Sequence, residues 1–165
     1  IRDSPYICHV LTRFGHNDVA YDLLMQESYP SWLYPVKMGA TTIWERWDGI
    51  KPDGSFQTPD MNSYNHYAYG AIGDWMYRTI AGINSAADAP GYKSIVIAPK
   101  PGGKLTHASA ELETVYGTVK SAWLLENNLL KLDVTVPVNT RAKIVLVDSS
   151  HNIGSGTYHF ESSVK

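Results

Sequence analysis

The spacing of the hydrophobic residues changes near residues 84–91, and this change limits the possible folds more than any other feature of the sequence. Before it, the inward positions follow the three- and four-residue spacing of one helix face: Ala68, Ala71, Ile72, Trp75, Met76, Thr79, Ile80 and Ile83. After it, apolar residues alternate with polar ones, as in a half-buried β-strand: Leu130, Leu132, Val134, Val136 and Val138. The chain is therefore predicted to be α+β, with its helices and strands in separate halves.

The first half contains two more segments with helical character. A helix is predicted from about Asn17 to Glu27, ending before Pro30, and a shorter one from Tyr6 to Phe14. The inward residues predicted for the longer of these are Val19, Leu23 and Leu24. Either Asn62 or Ser63 is the predicted N-cap of the helix that precedes the change in spacing, since a short polar side chain can accept an orphan backbone N–H.

The second half is predicted to be a small antiparallel β-sandwich of about six strands. Asn127-Asn128 is predicted to close a hairpin between two of them. The stretch from Asn84 to Gly91 is small and polar, and it ends in Pro-Gly, which is typical of a linker. We therefore predict helical residues 1–84, a linker over 85–91 and the sandwich over 92–165.

Composition excludes several classes of function. The formal charge is −2, and the sequence contains neither a strongly basic stretch for nucleic acid nor a basic amphipathic helix for a membrane surface. The single cysteine, Cys8, has apolar neighbours and is predicted to be a buried, inert thiol. The histidines lack metal-ligand spacing, and there is no phosphate loop or dinucleotide fingerprint, so no metal and no cofactor are expected.

Reactive residue types are densest between Gly39 and Gly49, where Glu45 lies between Trp44 and Trp47. Sugars stack their C–H faces on aromatic rings, and a neighbouring carboxylate can accept a proton from a hydroxyl or from water. The alternative is a surface Glu45 that pairs with Arg46 beside structural tryptophans.

The dipeptides Asp48-Gly49 and Asp53-Gly54 are interpreted as turns. His66 is predicted in the first turn of the strong helix, where it could hydrogen-bond a sugar hydroxyl. A histidine satisfied by the loop before it explains that position equally well.

Three motifs, in this order, carry a resemblance to a known family. They are Tyr29-Pro30-Ser31-Trp32, the run Gly39–Gly49, and Met61-Asn62-Ser63-Tyr64-Asn65-His66-Tyr67-Ala68-Tyr69-Gly70. With Ala98–Gly103 and Gly154–Tyr158 in the second half, the sequence resembles the bacterial α-L-rhamnosidases of glycoside hydrolase family 78 along nearly its whole length. The resemblance implies the last helices of an (α/α)₆ barrel followed by the C-terminal β-sandwich of the family.

The resemblance also implies an inverting hydrolase of terminal α-L-rhamnose, with a rhamnose-containing glycoside as its partner. Glu45 falls at the position of the general base and His66 at that of a sugar contact, while Trp44 and Trp47 match the flanking aromatic positions. The general acid belongs to a segment upstream of this region. We therefore expect the 165 residues to be a C-terminal piece that is inactive alone, leaves barrel surface exposed and can associate with further copies.

Two other classes of function are compatible with the residues alone. One is a non-catalytic carbohydrate-binding or structural module in which the aromatic residues form core. The other is a different (α/α)₆ enzyme, such as another glycosidase or a phosphorylase. The sequence does not distinguish a cytoplasmic from a periplasmic or secreted location.

Overall fold

A computed structural model of the chain describes residues 6–60 and 62–164. These residues form two compact units, of which the first ends at Trp75 and the second begins at Met76. Helices and loops make up the first unit and two β-sheets dominate the second, so the predicted α+β class with segregated halves is confirmed. The predicted limits of 1–84, 85–91 and 92–165 stay a prediction.

The helices of the first unit are short. They are α1 (Ile7–Arg13), α2 (Asn17–Met25), α3 (Leu33–Lys37), a 3₁₀ turn (Tyr67–Ala71) and α4 (Ile72–Trp75). None of the helices in the described ranges is long and apolar enough to cross a membrane.

Several details of the helix predictions are wrong. Ile83, predicted on the inward face of the strong helix, begins a β-strand, and Met76 of that face is 43% exposed. Val19 of α2 is 46% exposed, and the buried residues of that helix are Ala20, Tyr21 and Leu24. The residue before the 3₁₀ turn is His66, with extended backbone and no capping side chain, whereas Asn62 and Ser63 lie upstream of it. Both polar residues instead make hydrogen bonds to other loops, which removes them from the predicted N-cap.

Trp75 is the centre of the helical core. Its ring is fully buried and meets the ring of Tyr21 edge-on at 5.2 Å, and its Nε1 donates to the Thr12 hydroxyl at 2.8 Å. That bond satisfies the polar atom of an otherwise apolar side chain, as burial of tryptophan requires. Cys8 is buried nearby in α1, and burial raises the pKa of its thiol to about 11, as expected for an inert cysteine.

The second unit opens with a π-helical turn (Met76–Ile80) and continues with eight strands in the described residues: β1 (Ile83–Ser85), β2 (Ser94–Ile97), β3 (His107–Thr114), β4 (Gly117–Glu126), β5 (Leu129–Val136), β6 (Arg141–Val145), β7 (Ser150–Ile153) and β8 (Gly156–Ser163). One sheet has the order β1-β2-β6-β7 and the other β3-β4-β5-β8. All strand pairs are antiparallel except β2 with β6, which is parallel. Strands β1 and β7 and the parallel pair were not predicted from the sequence.

The predicted alternation holds in β5, where Leu130, Leu132, Val134 and Val136 are buried. The strand ends at Val136, however, and Val138 of the predicted run is 70% exposed. The predicted hairpin between β4 and β5 is also confirmed, because Asn127 and Asn128 both have positive φ, at 50° and 61°. On β4, Ser121 and Trp123 donate side-chain hydrogen bonds to the carbonyls of Ala81 and Ile80, at 2.7 and 2.8 Å. These bonds attach the residues before β1 to the second sheet.

The exposed pair of Asp133 on β5 and His159 on β8 gives a test of this strand register. The two residues are directly opposite, with 2.8 Å between Asp133 Oδ1 and His159 Nδ1. The hydrogen bond to the Asp133 carboxylate raises the pKa of His159, and the nearby Glu161 carboxylate adds to the effect. The pair therefore stabilises the fold at low pH, and its contribution is lost as the pH rises through the pKa of the folded state.

We predict that Asp133→Asn lowers the pKa of His159, as measured by NMR titration of the imidazole protons. The exposed Asp88→Asn is the matched control and should leave that titration where it is. A His159 pKa that does not change in Asp133→Asn would contradict the register of β5 against β8.

Candidate functional site

The residues predicted to form a site lie on two neighbouring loop segments of the first unit. The backbone N–H of Glu45 donates to the Ser63 carbonyl at 2.8 Å, and that of His66 donates to the Ile43 carbonyl at 2.7 Å. The Thr42 hydroxyl also donates to the Tyr64 carbonyl. The structure thus brings the backbone of Glu45 alongside the segment that carries His66, although the two residues are far apart in the sequence.

Glu45 is half-buried, and the facing segment also binds its side chain. The backbone N–H of Ser63 donates to Glu45 Oε2 at 2.9 Å. The other carboxylate oxygen, Oε1, has no hydrogen-bond partner among the described residues. Arg46 donates to the Thr58 hydroxyl at 3.1 Å, so the alternative of a Glu45–Arg46 pair is not what these contacts show. One oxygen of the carboxylate is therefore anchored, and the other makes no hydrogen bond within the described residues.

A polar corner around Gly49 fixes where the two segments meet. The Tyr64 hydroxyl and the Asn62 amide both donate to the Gly49 carbonyl, at 3.0 and 3.2 Å. A β-carbon at Gly49 would lie 3.2 Å from Asn62 Nδ2 and 3.3 Å from the Tyr64 ring, closer than ordinary van der Waals contact. The backbone N–H of Gly49 donates to the Arg46 carbonyl at 3.2 Å, in agreement with the predicted turn.

The second predicted turn, at Asp53-Gly54, is built by an aspartate side chain. Asp53 Oδ1 accepts hydrogen bonds from the Ser55 hydroxyl at 2.7 Å and from the Ser55 backbone N–H at 2.9 Å. These bonds favour the ionised form and lower the pKa of Asp53. Asp53 thus has a structural role in the turn, in agreement with the interpretation of Asp53-Gly54 as a turn.

The aromatic residues form a small apolar cavity. Trp47 is half-buried and packs against Trp32 at 4.7 Å and Tyr69 at 5.0 Å between ring centroids. Trp44 is buried and meets the Tyr64 ring edge-on at 5.4 Å. Trp32, Trp44, Trp47 and Tyr69 all line a cavity of about 220 Å³. Trp47 Nε1 is buried and has no hydrogen-bond partner among the described residues.

Only two of the four predicted site residues line this cavity. Trp44 and Trp47 line it, whereas Glu45 and His66 are not among the described lining residues, and the His66 side chain is exposed. No role was predicted from the sequence for Trp32 or Tyr69. Both residues occur in the motifs that carry the family resemblance, and this was the only sequence feature noted above that pointed to them. Their contacts with Trp47 depend on the conformation of the loops, which residue spacing does not reveal.

No group of three or more His, Cys, Asp or Glu side chains is arranged to hold a metal ion in the part of the chain that the structure describes. The candidate residues themselves offer a carboxylate (Glu45), an imidazole (His66) and aromatic rings. Such a set can move a proton and hold an uncharged, hydroxyl-rich ligand.

Two family models match the sequence. The bacterial α-L-rhamnosidase six-hairpin glycosidase domain matches residues 3–80, and the bacterial α-L-rhamnosidase C-terminal domain matches residues 82–161. An α-L-rhamnosidase from Streptomyces avermitilis is 51% identical over 141 residues, which are 86% of this chain. The chain spans 14% of the length of that relative.

Solved structures share the fold. The crystal structure of the Streptomyces avermitilis α-L-rhamnosidase complexed with L-rhamnose matches with a TM-score of 0.88 and 43% identity, covering 96% of this chain and 17% of that one. The native α-L-rhamnosidase from Aspergillus terreus matches with a TM-score of 0.91 and 39% identity, covering 95% of this chain and 18% of that one.

The bond between Ser63 and Glu45 gives a local test of the site geometry. We predict that Glu45→Ala speeds hydrogen exchange of the Ser63 amide about two- to tenfold, the kinetic equivalent of losing one hydrogen bond worth about 0.5–1.5 kcal/mol. Glu45→Gln keeps a side-chain carbonyl oxygen and should lose less protection. The His66 amide, which bonds a backbone carbonyl, is the internal control. Equal Ser63 exchange in all three proteins would show that the carboxylate is not anchored as described.

Proposed function

We propose, on the premise that this chain belongs to the bacterial α-L-rhamnosidase family, that it forms part of the active site of an enzyme that removes terminal α-L-rhamnose from rhamnosides. The observation that carries the proposal is the Glu45 carboxylate, anchored at one oxygen by Ser63 and open at the other. Further support comes from the relative whose structure contains L-rhamnose, because its fold extends over nearly all of this chain.

We assign Glu45 the role of general base in an inverting hydrolysis. Inverting glycosidases use two carboxyl groups roughly 6.5–9.5 Å apart, one protonating the leaving oxygen and one activating a water on the opposite face of the sugar. Glu45 Oε1 would accept the proton of that water, while the bond from the Ser63 N–H to Oε2 keeps the carboxylate from rotating. Proton transfer to a base is efficient when the base is held in position, so this anchoring would contribute to the rate.

Trp44, Trp47 and His66 are assigned to substrate binding. The cavity that both tryptophans line has about 220 Å³, smaller than the roughly 300–1,000 Å³ typical of pockets for drug-sized ligands, which suits a single sugar ring. Its aromatic walls offer stacking surface to the C–H face of a sugar. The exposed His66 imidazole is free to hydrogen-bond a sugar hydroxyl, since its backbone is already held by Ile43.

The general acid is assigned to a part of the protein outside these residues. The Asp53 carboxylate is hydrogen-bonded to Ser55 within its own turn, and Asp48 lies in the turn Arg46–Gly49. The family resemblance implies that the general acid comes from an upstream segment. The proposed activity therefore belongs to the full-length protein, in which this chain supplies the base and part of the sugar pocket.

We predict that Glu45→Gln in the full-length protein lowers kcat/KM on an aryl α-L-rhamnoside by about 10²–10⁴-fold, the usual contribution of a positioned acid or base. The matched control is Glu27→Gln, which removes an exposed carboxylate of the same unit that pairs with Lys37. Circular dichroism of both variants checks that they fold. If kcat/KM of Glu45→Gln were close to that of the control, Glu45 would not be the general base.

We also predict inversion at the anomeric carbon. Proton NMR of the first product formed from an aryl α-L-rhamnoside, recorded before mutarotation, should show β-L-rhamnose. An α-configured first product would mean a covalent intermediate, with the carboxylate acting as nucleophile at the roughly 5–5.5 Å separation of retaining enzymes.

A further inference from the structure

A groove of about 710 Å³ lies in the second unit, and none of its described lining residues was assigned a catalytic or sugar-binding role above. Strands β2, β6 and β7 line it, and residues 86–88 of the connection from β1 to β2 form one wall. The wall residues Ala86 and Ala87 are small, so the groove is open along the sheet. A volume in the roughly 300–1,000 Å³ range is that of a ligand-binding pocket.

Two cations lie next to each other in this groove. Arg141 and Lys143 flank the buried Ala142 on β6, so both project from the exposed face of the strand, roughly 7 Å apart. The Nε of Arg141 donates to the Ser94 hydroxyl on the paired β2 at 2.8 Å, which orients the guanidinium. Lys143 makes no hydrogen bond and no ion pair with any other described residue. The groove therefore holds positive charge that nothing in the described chain neutralises directly.

Acceptor groups lie beside these cations. Asn152 on β7 is directly opposite Lys143 in the sheet register, and Asp88 is part of the wall. Neither side chain has a hydrogen bond within the described residues. With Arg141 and Lys143 positive and Asp88 negative, the lining has a formal charge of 2 − 1 = +1. The groove thus combines an excess of cationic donors with unpaired acceptors.

We propose that this groove binds an acidic oligosaccharide, with a uronate carboxylate between Arg141 and Lys143 and sugar hydroxyls on Asn152 and Asp88. A guanidinium fork matches the geometry of a carboxylate, and an ammonium adds a second point charge. Amide and carboxylate oxygens accept from hydroxyls, which a simple inorganic anion lacks. The inference rests on the proposed function, in that a rhamnosidase meets saccharide chains, and it assigns the second unit to holding such a chain.

The test measures binding of a tetragalacturonate by calorimetry to the full-length protein at low salt. Lys143→Gln should weaken binding about three- to fivefold, as expected for an exposed ion pair, and Arg141→Gln with Lys143→Gln more than tenfold. Lys104→Gln, an exposed lysine of the same unit outside the groove, should bind like the unchanged protein. Binding should fall in 0.5 M NaCl because salt screens exposed charges.

Two further probes separate the sources of binding. The carboxyl-reduced tetrasaccharide should bind at least tenfold more weakly, and inorganic phosphate should not compete at equal concentration. Equal binding of the acidic and the reduced saccharide, effective competition by phosphate, or loss of affinity in Lys104→Gln equal to that in Lys143→Gln would each overturn the proposal. So would the absence of measurable binding.

Hydrolysis of a small aryl α-L-rhamnoside is measured in parallel, so that failure of the groove proposal can be distinguished from failure of the proposed function. Lys143→Gln has no side-chain contact to lose among the described residues and should leave kcat/KM on that substrate unchanged. If the full-length protein hydrolyses the rhamnoside but the groove variants bind the tetragalacturonate normally, only the groove proposal fails. If the protein binds the acid saccharide through the groove but hydrolyses no rhamnoside, only the proposed function fails.

Discussion

The pairing of two loop segments, residues 42–45 with residues 63–66, determines where every candidate catalytic group lies. Neither segment is a regular helix or strand, so the backbone polar groups of both segments need partners outside secondary structure. They find them in the facing segment through the N–H groups of Glu45 and His66 and through the Thr42 hydroxyl. The Glu45 carboxylate takes part in the same pairing by accepting from Ser63. A residue proposed for chemistry is thus also one of the groups that build the loop.

In the proposed function, this chain contributes the general base and the rest of the protein contributes the general acid. An inverting hydrolysis needs an acid and a base on opposite faces of one sugar, and the proposal assigns the base and an aromatic wall to the loops described here. The chain spans 14–16% of the length of two of its relatives, and the proposed general acid is assigned to the rest of the protein. The second unit has its own core, with Trp123 and Leu132 buried, and presents a separate charged groove.

Regular patterns in the sequence were predictive and irregular contacts were not. The alternation in β5, the Asn127-Asn128 hairpin and helix α2 follow from local periodicity and turn chemistry, and the structure has them nearly where expected. The start of the strong helix was misplaced because Asn62 and Ser63 look like caps but bond to Gly49 and Glu45. Likewise the packing of Trp32 and Tyr69 on Trp47 joins distant segments, and no local spacing encodes it.

Chemical rescue tests the central claim, that the Glu45 carboxylate activates the water, most directly. Glu45→Ala removes the carboxylate and leaves room for azide, which needs no base. In the full-length variant, azide should restore turnover of an aryl α-L-rhamnoside: it attacks the anomeric carbon from the face opposite the aglycone, the bond to the leaving oxygen breaks, and β-L-rhamnosyl azide forms. A variant that still binds L-rhamnose, yet is not accelerated by azide and yields no glycosyl azide, would contradict the assignment of Glu45 as the base.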